Sequence, residues 1–328
     1  MDVHQNIEES DMKKKNILVC GATGFIGRNV AEFLARKNEF EVYGTFFNSK
    51  PYDNPNIRLT RCDLTDKNSV QEIVREKDVV IQMAAITSGV KDIKNVPYIH
   101  VTDNAVMNSL LLRAVFDNNV SQFIFPSSST VYPLSDRPLK ETDSENKDLG
   151  DIFPAYFGSA KTKLYIEDMC KFFSKFGRTK HTIFRHSNVY GPYDKYDLEK
   201  SHVFGATITK VMQADKDVEV WGTGEEERDL LYVSDLCDFV YTSLNQTSNL
   251  ELVNIGSGEA ISVRNLVKKI IDLSGKDLEI KFLLDKPTIK TRVHLDISKA
   301  KRIFGWEPKT SLEDGIKKTL GWYKENIK

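Results

Sequence analysis

The chain has no apolar run near the roughly 18–20 residues needed to cross a bilayer. It has only four cysteines, Cys20, Cys62, Cys170 and Cys237, and none forms a CxxC pair. That spacing argues against zinc or any other metal site and for free thiols, as expected in a cytoplasmic protein. It also lacks net charge, since 46 Lys and Arg against 47 Asp and Glu leave −1. No global field then draws nucleic acid or an anionic membrane, so neither is expected as a partner. Met1 to Lys15 is polar, without the apolar stretch of a secretion signal, and reads as a disordered leader over 1–14. There is no internal repeat and no low-complexity tract.

What is present is alternation. With 328 residues, 40% of them apolar, the chain can build one large α/β unit or two domains. Short apolar runs at 16–20, 41–46, 57–61, 78–82, 122–125 and 181–185 read as strands. Between them, 27–37, 70–75, 103–116 and 159–176 read as helices. The pattern predicts an α/β fold, a Rossmann-type doubly wound parallel sheet. The sheet domain is expected over 15–191, with returns at about 229–262. Looser segments at 192–228 and 263–328 predict a smaller mixed α/β C-terminal lobe that binds substrate.

Gly21-Ala22-Thr23-Gly24-Phe25-Ile26-Gly27 follows the first strand and opens a helix. In such a loop the first glycine permits the turn, the second lets backbone approach a pyrophosphate, and the third lets helix pack on strand. Helix N–H groups then face the phosphates. An acid at the end of the second strand would bind the adenosine ribose of NAD, but Phe47-Asn48-Ser49-Lys50 carries none. Asn48 and its neighbours suit a 2′-phosphate, so NADP(H) is slightly favoured over NAD(H). Asp63, before Leu64, suits the adenine amino group, although a helix cap reads the same way. Ala84 and Ala85 suit a small-residue wall beside the cofactor.

These segments, with Asn104, Ser127–Pro133, Lys161, Asn188–Pro192, Trp221–Arg228, Val233–Asp235 and Gly305–Pro308, resemble the extended short-chain dehydrogenase/reductase family. The resemblance runs from Ile17 to about Tyr323 and is nearest to GDP-L-fucose synthases and related GDP-4-keto-6-deoxy-sugar reductases. Ser128–Pro133, Ser201-His202-Val203 and Val220–Gly224 with Arg228 carry that likeness. It is weaker toward 4-epimerases. It implies an NAD(P)-dependent oxidoreductase or epimerase of a nucleotide-diphosphate sugar, with a GDP-sugar favoured. It also implies a homodimer, through helices bearing Val106, Leu110, Phe116, Leu164 and Phe172.

By the same resemblance Ser128 orients the sugar's reacting oxygen. Thr130 stands where fucose synthases carry a cysteine for double epimerisation, and threonine is a poor base. Acids needed for dehydration are absent at 129 and 130. Lys161 is expected to hold the nicotinamide ribose, while Asn188, Trp221, Arg228 and Arg292 would bind the nucleotide diphosphate. The family's proton-relaying tyrosine, four residues before that lysine, is missing: the position holds Phe157. Three readings stand: a Tyr→Phe replacement that traps the enzyme, a relay by Tyr156, or another acid or lost catalysis. His202 is the first alternative acid. The other five histidines have no motif around them. A dinucleotide-binding sensor without catalysis is the reading from another class.

Overall fold

The computed structural model describes residues 13–86, 98, 101–144, 157–198, 201–286 and 292–327. The expected leader falls almost wholly outside them, as does Tyr156. Six strands come first: β1 (Lys15–Cys20), β2 (Phe40–Phe46), β3 (Ile57–Arg61), β4 (Val79–Gln82), β5 (Gln122–Ser128) and β6 (Lys180–His186). Eight follow: β7 (Asn188–Tyr190), β8 (Asp217–Trp221), β9 (Glu227–Arg228), β10 (Leu230–Tyr232), β11 (Leu250–Ile255), β12 (Ile261–Ser262), β13 (Glu279–Leu283) and β14 (Arg292–Val293). The helices are α1 (Phe25–Ala35), α2 (Lys67–Val74), α3 (Thr102–Asp117), α4 (Phe157–Phe173), α5 (Val203–Gln213), α6 (Val233–Ser243), α7 (Val263–Ser274), α8 (Ser298–Phe304) and α9 (Leu312–Asn326).

The main sheet has seven strands in the order β3-β2-β1-β4-β5-β6-β11, every pair parallel. Strands covered on both faces must be apolar at every position rather than at alternate ones. β1 shows this: Ile17 and Val19 enter one core with α1 and α6, while Leu18 and Cys20 enter the other with α2, α3 and α4. Strand order reverses between β1 and β4, so their C-terminal ends open the crevice where this architecture receives ligands.

The expected alternation is borne out, with shifts at the ends. β5 runs on to Ser128 because Pro126, Ser127 and Ser128 stay in register with Phe184, Arg185 and His186. Ser128 is therefore the last residue of the strand, not a residue beyond it. α1 begins at Phe25 rather than Gly27, since Gly24 takes the extended N-cap conformation. Residues 190–323 also build a further core, in which Tyr190, Phe204, Ile208, Leu266, Ile270, Ile316 and Leu320 are buried. Around it lie the pairs β7–β10 and β8–β13 and the small sheet β12-β9-β14.

Candidate active site

The loop after β1 is shaped by what each glycine touches. Gly21 has φ +71°, and a Cβ there would lie 2.7 Å from the Cα of Ala84. A Cβ on Gly27 would run into the carbonyl oxygen of Gly21. A Cβ on Gly24 would meet only the Gly21 oxygen, in ordinary contact at 3.4 Å. As N-cap of α1 it supplies no side-chain acceptor, so the first-turn N–H groups of the helix are left for another partner. This cradle fits a dinucleotide pyrophosphate. Thr23 Oγ1 lies 2.5 Å from Ser49 Oγ, which ties the loop to the segment after β2.

The rest of the cofactor crevice is set by short polar contacts. Asn48, Ser49 and Lys50 are exposed beyond β2. Beside them Arg61 donates to the Phe47 carbonyl at 3.3 Å and lies over the Phe47 ring at 5.3 Å, a cation that sequence reading passed over. Asp63 accepts from Thr65 N and Oγ1 at 2.9 and 2.6 Å, using one carboxylate oxygen as a turn cap, and Leu64 is buried beside it. Ala84 N donates to Gln82 Oε1 at 3.1 Å, and Ala85 follows in the same crevice wall. Asn104 closes the loop after β4 through both its amide atoms and Ile86, at 3.0 and 3.1 Å.

At the C-terminal end of β5, Ser128 is 9% exposed and its Oγ accepts from Thr130 N at 3.1 Å. The two hydroxyls lie 3.0 Å apart. A buried network holds this turn from behind. Glu167 of α4 accepts from Arg185 Nε and Nη2 at 2.9 and 2.6 Å and from Ser127 Oγ at 2.5 Å. Arg185 also donates to Tyr132 Oη at 3.0 Å, and Tyr132 donates to Asn254 Oδ1 at 2.6 Å.

The same helix decides which lysine faces the sheet. Ala160, Lys163, Glu167 and Cys170 recur at three and four residues, and that face lies against β5 and β6. Lys163 Nζ donates to the Pro126 carbonyl at 2.9 Å, two residues before Ser128. Lys161 is exposed on the other side of α4, and Phe157, the first residue of the helix, is 48% exposed. Burial lowers the Lys163 ammonium to about 8, against the Glu167 charge, which raises it.

His186, the register partner of Ser128, completes this group. Burial holds it down to about 4, helped by the Lys163 and His202 charges. His202 is the N-cap of α5. It is exposed, yet desolvation and then the Lys195 charge hold it below the usual histidine range. Neither Lys163 nor His186 was legible in the sequence as a candidate site residue. The signal for Lys163 was its place on the face of α4 shared with Glu167, whereas His186 has none beyond its strand end.

The proposed diphosphate ligands fall in two places. Arg228 and Arg292 sit on neighbouring strands, β9 and β14. Arg292 donates to Glu227 at 2.6 Å and to Asp136 at 3.1 Å. Asn188 donates from Nδ2 to the Asp229 carbonyl at 3.3 Å. Trp221 ends β8 and is 52% exposed, with the Lys210 ammonium 5.9 Å from its ring centre.

A glycine cradle at the switch point, with Ser128 and His186 at adjoining strand ends, Lys163 of α4 bonded to the first of those strands and His202 capping α5, defines a dinucleotide-dependent α/β enzyme class. The chain belongs to the NAD dependent epimerase/dehydratase family, whose profile matches residues 17–256. That family comprises nucleotide-sugar epimerases, reductases and dehydratases. The chain is 28% identical over 323 residues to the GDP-L-colitose synthase of Yersinia pseudotuberculosis, covering 94% of this chain and 97% of that protein. It is 30% identical over 318 residues to the GDP-L-fucose synthase of Sinorhizobium fredii, covering 95% and 96%. Its fold is similar to the UDP-glucose 4-epimerase of Thermotoga maritima solved with UDP-glucose. There the TM-score is 0.84 at 26% identity, covering 95% of this chain and all of that one. Among the described residues no helix is long and apolar enough to cross a membrane, and no His, Cys, Asp or Glu cluster could hold a metal ion.

Proposed function

We propose that the protein is a cytoplasmic reductase that delivers a hydride to C4 of a GDP-4-keto sugar, with NADP(H) favoured over NAD(H). The observation that carries this reading is the Ser201-His202-Val203 segment opening α5, with His202 in electrostatic reach of His186 beside Ser128. The names of the two relatives above support the GDP-sugar. Arg61 beside an exposed Asn48, with no acid in that segment, supports the 2′-phosphate. Thr130 is engaged with Ser128 and replaces the cysteine of the double epimerases, which favours reduction without epimerisation.

The dinucleotide supplies hydride chemistry when bound, and Gly21, Thr23, Gly24, Phe25, Ile26, Gly27, Asn48, Asp63, Leu64, Ala84, Ala85 and Asn104 would hold it. Ser128 orients the sugar oxygen, while Asn188, Trp221, Arg228 and Arg292 take the diphosphate and base. The half-exposed Phe157 supports an acid other than a tyrosine at that position, over a trapped Tyr→Phe form. Val106, Phe116 and Phe172 are exposed on α3 and α4, with Leu110 and Leu164 half-buried beside them. That face supports a homodimer.

The test is native mass spectrometry and thermal shift with GDP-, UDP-, dTDP- and CDP-sugars, each with NADP or NAD. It is followed by NADPH oxidation with a GDP-4-keto-6-deoxy sugar. Selective GDP-sugar binding with NADPH consumption is expected. Redox-neutral interconversion of UDP-sugars would replace this reading with the 4-epimerase one, which the likeness to the Thermotoga maritima enzyme favours. Dinucleotide binding with no response to any sugar nucleotide would leave a sensor.

A further inference from the structure

Three features meet where β5 and β6 end. Lys163 Nζ is fixed on the Pro126 carbonyl, two residues before Ser128. His186 pairs in register with Ser128. Its Nδ1 lies 2.7 Å from the Ser187 carbonyl oxygen, and a carbonyl only accepts, so Nδ1 carries the ring proton and Nε2 keeps its lone pair. Counting four residues back from Lys163, one helical turn along the same face, reaches Ser159 rather than a tyrosine. The acid nearest Lys163 on its own helix, Glu167, is committed to Arg185 and Ser127.

We propose that Lys163 is the proton-transfer group of this site, its side-chain nitrogen exchanging a proton with the sugar oxygen where related enzymes use a phenol. The proposal rests on the reading above that a sugar carbonyl is reduced. In that direction the carbonyl carbon gains a hydride, which a dihydronicotinamide cofactor supplies, and the C=O π pair moves onto oxygen. An N–H bond of Lys163 breaks and an O–H bond forms on the sugar. Lys163 is left as a neutral amine and regains its proton from water. In the oxidative direction the amine takes the hydroxyl proton instead. Ser128 Oγ–H donates to the same oxygen and orients it.

An ordinary lysine is too weak an acid for this near neutrality, because transfer is most effective when the group titrates near the working pH. Burial brings Lys163 there. The titratable groups facing it are Glu167 from α4, which opposes the shift, and His186 from β6. His202 acts in turn on His186. Because His186 stays neutral at working pH, it adds no charge that would drive the ammonium to deprotonate.

The direct test needs neither cofactor nor substrate. Protein carrying 13C at lysine Cε is titrated by NMR, and the Lys163 signal is assigned by its absence from Lys163→Arg. A midpoint near 8 is expected, and one at the ordinary lysine value near 10.5 overturns the proposal. Turnover gives the second arm. Arginine keeps the charge but does not release its proton. Lys163→Arg is therefore expected to bind NADP, followed by fluorescence, while losing about 10²–10⁴-fold in turnover. Wild-type reduction should fall as pH rises through about 8, and the oxidative direction should rise through the same range. An unchanged rate and pH profile in Lys163→Arg would overturn it as well. If no sugar nucleotide is reduced by the wild type, the functional reading fails, while the NMR midpoint still decides whether Lys163 is poised to exchange a proton.

Discussion

Replacing Glu167 with glutamine separates what the buried network does for the fold from what it does for the site. The carboxylate is fully buried and its partner Arg185 is 3% exposed. Glutamine keeps the shape and some hydrogen bonds but leaves the guanidinium in the interior without its counter-charge. Breaking a buried pair on one side costs about 3–5 kcal/mol, because the remaining charge is stranded. Unfolding entropy is about 2.1 cal/mol/K per residue, so a chain of 328 residues loses about 1 °C of Tm for each 0.7 kcal/mol. Glu167→Gln should therefore melt about 4–7 °C lower, by calorimetry or circular dichroism. The Glu167 charge also holds Lys163 up against burial. Its loss should move the Lys163 midpoint further below about 8 in the NMR titration. Converting both Glu167 and Arg185 to methionine should cost clearly less than the two single changes added. A Tm loss under about 1 °C, or an unmoved Lys163 midpoint, would refute the reasoning.

Three further outcomes are expected. Gly27→Ala puts a methyl against the Gly21 carbonyl, so dinucleotide binding followed by fluorescence should be lost, with about 1–3 kcal/mol of stability. Arg61→Ala removes a cation from the segment proposed to meet the 2′-phosphate. It should weaken NADP by about tenfold to a hundredfold and leave NAD unchanged in calorimetric titration. Burial pushes Asp194 up to about 7, and its Oδ2 has no hydrogen-bond partner. The folded state then holds a proton the unfolded state lacks, between about pH 4 and 7. That contribution is complete below about 4 and lost as pH rises through about 7. Asp194→Asn should flatten this fall in urea unfolding curves measured across the range.

The sheet was legible because doubly covered strands are apolar throughout and each is followed by a helix-length segment. The dinucleotide loop was legible because its glycines sit at fixed offsets after β1. Which lysine of α4 faces the sheet was not. Two residues apart on a helix means roughly 200° around its axis, so everything depends on the helix phase. That phase is set by Ala160, Ile166, Glu167 and Cys170, and a glutamate is ordinarily assigned to the surface. Only its pairing with Arg185, from a strand 18 residues later, turns it inward. His186 was invisible for a similar reason, since its neighbour Ser128 lies across a sheet register that no local motif encodes. Arg61 was hidden in the third strand, where it pairs with Phe46 across β2 and β3.

The outermost strand of the main sheet has a consequence for synthesis on the ribosome. β11 lies beside β6, yet about 70 residues separate His186 from its partner Ile255, and the first part of the C-terminal lobe is made in between. At about 5–20 residues per second, β6 emerges roughly 3–14 seconds before the strand that covers it. Through that interval its hydrogen-bonding edge is a template for any extended chain nearby. A newborn copy stalled between Gly191 and Leu250 therefore carries an open sheet margin, and that window is where a holding chaperone has a surface to recognise.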